Sequence, residues 1–68
     1  MDNVYVLMNR VNYEGGNLLG VFANLEDAMN GVNNVPDYEQ GDSWAIWQLA
    51  FGQMVDSVND DPVAEGDW

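Results

Sequence analysis

The chain has 68 residues, twelve acids against a single base, Arg10, no Lys, His or Cys, and a formal net charge of -11. One small domain fits this length, and its core is marginal, because a chain of this size buries only about 60 % of the surface its unfolded form exposes. Disulfide staples and thiolate metal sites are excluded, nucleic acid and anionic membrane are repelled, and a hydrophobic content of 47 % is too rich for a disordered chain.

The opening residues, MDNVYVLMNR, have no basic stretch followed by a long apolar run, so they do not read as a signal peptide, and no apolar stretch approaches a membrane span. A soluble, cytoplasmic protein is the expectation. Residues 3–11, NVYVLMNRV, are apolar on both alternating faces, as in a central strand. NYEGGN (12–17) reads as a hairpin loop, and LLGVFA (18–23) as the returning strand, with Gly20 marking a bulge or a close approach. Asn24 has the chemistry of an N-cap, and Glu26 and Asp27 follow in the first turn, where the helix dipole favours acids. Leu25, Ala28, Met29 and Val32 then form one apolar stripe of a short helix ending near Asn33, behind which Pro36 closes the loop.

SWAIWQLAF (43–51) is a second strand apolar on both faces, turned at Gly52 into QMVDSV (53–58), which alternates as an edge strand carrying the protective charge of Asp56. Residues 59–68, NDDPVAEGDW, combine Pro, Gly and acids and read as a mobile acidic tail, of which residues 60–68 are expected to be dispensable for folding. The fold expected is therefore α+β. Residues 1–58 form one domain, a three- or four-stranded antiparallel sheet in ββαββ order with one short helix on one face. Such a helix covers one face only. The other is expected to expose aromatic surface, unless loops and tail fold over it with Trp68 as a plug.

VYVL at the start, NLLGVFANLEDAMNGV and WAIWQL together resemble a family of small domains common in phage and prophage genomes, in which a GVF strand runs into a Ser- or Asn-capped helix opening with acids and Ala. The resemblance covers most of residues 4–50. It implies the strand–strand–helix–strand order and a phage origin, and it supplies no activity. The acidity here exceeds that family's usual pattern.

Catalytic groups are scarce. With no His, Cys, Lys or Thr, the aliphatic hydroxyl nucleophiles reduce to Ser43 and Ser57, and neither has a His or Lys base. Asp37 and Glu39 lie in a segment flanked by Pro36 and Gly41 that reads as a solvated loop, where nothing holds one of them protonated for acid–base work. Gly15-Gly16 lacks the continuation of a phosphate loop. An EF-hand register starting at Asp37 fails, with Gly41 at its fifth position and Gln48 at its twelfth, and Asp56, Asp60 and Asp61 form only a weak cation attractor. No enzymatic activity, metal or cofactor is implied.

Charge is the outlying property, and it is uneven. Residues 1–36 carry four acids and Arg10, whereas residues 37–68 carry eight acids and no base. Trp44 and Trp47 sit three apart on the strand and so point to opposite faces, one into the core beneath the helix and the other onto the uncovered face as a contact residue. Three readings follow. In the first, the acids imitate phosphates on a rigid scaffold and occupy the basic groove of a host protein. The phage resemblance directs that reading to a CRISPR effector, a restriction enzyme or host DNA machinery such as a nucleoid protein, gyrase or RNA polymerase. In the second, the acids keep the chain soluble and the aromatic face binds. In the third, the domain is a homodimeric structural module. The contact residues expected across these readings are Glu14, Glu26, Asp27, Asp37, Glu39, Asp42, Asp56, Asp60, Asp61, Trp44 and Trp47.

Overall fold

A computed structural model describes residues 3–12, 15–54 and 61–68. The elements are β1 (Asn3–Arg10), β2 (Leu18–Phe22), α1 (Leu25–Val32), α2 (Asp37–Gln40), β3 (Ser43–Ala50) and β4 (Ala64–Asp67). The strands form one antiparallel sheet in the order β2-β1-β3-β4. This is the α+β architecture read from the residues, with a cap of one short helix. The radius of gyration, 11.2 Å, matches the roughly 11 Å expected of a compact chain of this length.

The two central strands are those apolar on both faces. β1 and β3 pair along their whole lengths, Asn3 opposite Ala50 through to Arg10 opposite Ser43. Tyr5, Leu7, Trp44 and Ile46 face α1 and make its core with Ala28, joined by Leu19, Phe22, Val32, Val35, Ala64 and Trp68. Val6, Ala45, Trp47 and Leu49 form a separate cluster with Val4 and Met8 on the opposite face. Gly20 lies at a bulge: the register passes from Leu7 opposite Gly20 to Met8 opposite Leu18, so Leu19 is the extra residue.

Asn24 caps α1 as its chemistry requires, its side-chain oxygen accepting the Asp27 N–H at 2.8 Å. The buried stripe of α1 is rotated from the one expected. Ala28 is fully buried and Val32 packs on the core, but Leu25 and Met29 are 38 % and 39 % exposed. Gly31 explains the rotation: a methyl group there would meet the Phe22 ring at 2.6 Å, so the helix rests on Phe22 along Ala28, Gly31 and Val32. Leu25 and Met29 then flank the contact instead of centring it.

Two further expectations are corrected. Residues 37–40, read as loop, form the short helical turn α2. The segment read as a mobile tail contains the strand β4. Gln53 and Met54 are outside any strand, and Val55–Val58 fall outside the described residues. β4 pairs with β3 from Ser43–Asp67 to Ile46–Ala64, and the Val63 N–H donates to the Ile46 carbonyl at 2.8 Å. The physical reason is alternation: Ala64, Gly66 and Trp68 turn to the core side, while Glu65 and Asp67 turn away to solvent. Residues 61–68 are thus part of the folded unit.

Candidate functional site

The carboxylates of residues 37–42 are held by the end of β1. Asn9, the buried polar side chain of the described core, donates from Nδ2 to the Glu39 carbonyl at 2.7 Å and accepts the Asn17 N–H on Oδ1 at 2.6 Å. The Asp42 N–H donates to the Arg10 carbonyl at 2.8 Å, and its carboxylate accepts the Asn12 N–H at 2.7 Å. Gly41 between them has φ +68°, and any side chain would strike the Arg10 carbonyl oxygen and Val11 at 2.9 Å. Gln40 closes the turn, donating to the Val35 carbonyl and to Asp37 Oδ1, both at 3.2 Å. A polar loop is thereby fixed to the sheet, with Asp37, Glu39 and Asp42 all exposed.

The register adds two acids that the sequence reading left in the tail. Asp67 stands opposite Ser43, the residue after Asp42, and Glu65 stands opposite Ala45. Asp42, Asp67 and Glu65 therefore follow the β4 rim, whereas Glu39 lies on the β2 side, lining a cavity with Asn17, Leu18 and Leu19. The signal for Asp67 and Glu65 was present in the period-two alternation of residues 64–68 after Pro62.

Glu26 and Asp27 are not brought to this rim. They open α1 just beyond Phe22, which pairs with Tyr5 at the other end of β1, and Asp27 accepts an Asn24 side-chain N–H at 3.2 Å. Asp61 is exposed ahead of β4. Glu14, Asp56 and Asp60 lie outside the described residues.

Among the described residues, Arg10 answers one acid. Its Nη2 lies 2.7 Å from Glu65 Oε1, both side chains about half exposed, and the guanidinium sits 6.0 Å from the centroid of the Trp47 ring. Such an exposed ion pair contributes at most about 1 kcal/mol. All eight described carboxylates are exposed, and Arg10 is the chain's single base. Among the described residues, no three acids converge on a position that would hold a metal ion.

The tryptophans are placed differently from the expectation. They do point to opposite faces, but neither is a surface residue: Trp44 is 9 % exposed beneath α1, and Trp47 is 3 % exposed among Val6, Ala45 and Leu49. The exposed contact tryptophan expected on the uncovered face is absent. Larger apolar exposure lies instead at Leu18, Val21, Tyr38, Phe51 and Met54. Among the described residues no helix is long and apolar enough to cross a membrane.

No family model matches the chain, and neither the curated proteins nor the solved structures yield a match.

Proposed function

We propose that this protein is a non-enzymatic nucleic-acid mimic whose carboxylates occupy the basic DNA- or RNA-binding groove of another protein. The observation that carries the reading is that all eight described carboxylates are exposed, Asp37, Glu39 and Asp42 among them on a hydrogen-bonded turn, in a chain whose single base pairs with Glu65. Averaged along its 32 Å long axis, a net charge of -11 amounts to roughly one charge per 3 Å, close to the 3.4 Å per phosphate of a single DNA strand. That axis is also about one turn of B-DNA, roughly 34 Å.

Rigidity matters to the reading because fixed charges need no ordering on binding. Asn9 and the backbone of β1 supply it. The competing aromatic-face reading would have to rest on Tyr38 and Phe51, since Trp44 and Trp47 are both buried. The resemblance of residues 4–50 to small phage domains directs the mimicry to host defence or host DNA machinery, in the host cytoplasm, with a CRISPR effector, restriction enzyme or polymerase as target.

The test is DNA displacement. The full chain is titrated into complexes of labelled DNA with a restriction enzyme, gyrase, RNA polymerase and a CRISPR effector, at low and high salt. Release of DNA from at least one, lost at high salt, is the expected result. A ternary complex of target, DNA and this protein, or no displacement from any of them, overturns the reading.

A further inference from the structure

The last turn of α1 carries no basic residue, and its terminal carbonyls form the negative end of the helix dipole. That turn borders a cavity of about 460 Å³, lined by Asn30, Asn33, Gln40, Trp44, Asp67 and Trp68 among others. Gln40 commits both Nε2 hydrogens, to the Val35 carbonyl and to Asp37 Oδ1, so what its amide has left to offer a guest is an oxygen. Trp68, whose Nε1 is buried, offers the cavity no indole N–H. The chain's one base lies elsewhere: Arg10 pairs with Glu65 and sits beside Trp47, whose cluster is on the sheet face opposite α1.

We propose that this cavity is a binding site for a guanidinium group, presented as an arginine side chain by the basic partner. The lining selects the class of guest. An anion would meet a helix C-terminus, Asp67 at the border and the field of a chain with net charge -11. A purely apolar guest would leave the amides of Asn30, Asn33 and Gln40 without partners. A planar cation avoids both penalties. It stacks on an indole ring, donates up to five N–H groups to amide oxygens and terminal carbonyls, and gains from the dipole. An ammonium donates three and has no flat face, so arginine is favoured over lysine. The volume falls within the roughly 300–1,000 Å³ of ligand sites. That the partner is a nucleic-acid-binding protein rests on the mimicry reading; the cavity's choice of guest does not.

The probe is N-acetylargininamide, titrated into the full isotope-labelled chain and followed by NMR. N-acetylcitrullinamide serves as its neutral isostere and N-acetyllysinamide as the ammonium. Saturable shifts at the Trp44 indole N–H and the amides of Asn30, Asn33 and Gln40 are expected, with the lysine compound weaker and the citrulline compound inert. Asn33→Lys sets a cation at the cavity and should weaken uptake by about tenfold or more. Gln48→Lys makes the same change of charge at an exposed position of β3 and should cost less than about twofold, because exposed charges are screened over about 8 Å. Should Asn33→Lys misfold, the unaltered chain decides through the arginine and citrulline compounds. An equal response to the citrulline compound, unsaturable shifts spread over Glu26, Asp27, Asp37 and Asp42, or no shift at all overturns the proposal. A chain that takes up the arginine compound but displaces no DNA keeps this site and loses the mimicry reading; displacement of DNA without uptake does the reverse.

Discussion

Asn9 shows how much of the acidic surface rests on one uncharged side chain. It satisfies the Glu39 carbonyl and the Asn17 N–H from a buried position, tying α2 and the start of β2 to β1. Asn9→Ala leaves both groups without that partner and should destabilise the domain by about 1–3 kcal/mol, measured by urea unfolding. A loss below about 0.5 kcal/mol would mean that water replaces the amide without penalty. Gly41→Ala is a second test at this scale. It forces a positive φ on a residue with a side chain and drives that side chain into Arg10 and Val11, so a loss of about 1–3 kcal/mol is expected. Asp42→Asn should be nearly neutral, because the amide oxygen still accepts the Asn12 N–H.

Among the elements, β4 decides whether the end of the described chain is structure or appendage. Its pairing with β3, and the packing of Trp68 beside Trp44, Ile46 and Ala28, add burial that a marginal domain needs. Removing residues 61–68 should therefore abolish the cooperative thermal transition or lower Tm by well over 10 °C, since each kcal/mol is worth about 4–8 °C at this size. An unchanged melt would make β4 dispensable. Trp68→Ala is the milder version and should cost about 1–3 kcal/mol. α1 makes the complementary point: Gly31→Ala is favourable by helix propensity but forces the Phe22 ring to move, so the substitution should destabilise despite its propensity gain.

For the whole molecule, the charges that would recognise a basic target under the proposed function are also the ones that repel one another. Neutralising Asp37, Glu39 and Asp42 together to Asn, Gln and Asn should leave stability equal or slightly raised, because net repulsion falls. It should also slow association with a basic target by about tenfold with little change in dissociation, since exposed charges act mainly on encounter. Affinity of the unaltered chain should drop by about tenfold or more between low and physiological salt. Stopped-flow binding at several ionic strengths separates these effects; salt-independent association would point away from these carboxylates.

What the chain order and residue pattern determined alone was local. Strands apolar on both faces became the sheet's centre, Asn24 became the N-cap, and Gly20 fell at the bulge, because alternation and capping act within a few residues. The acidity is likewise a property of composition. Tertiary structure decided the rest. That 64–67 forms a strand turned on long-range pairing with β3. Gly31 read as a helix weakener until Phe22 came to lie against it, and Asn9 read as an ordinary strand residue until Glu39 and Asn17 closed around it. The approach of Asp67 to Asp42 follows from sheet register, in which residues far apart in sequence become neighbours through pairing that local periodicity does not encode.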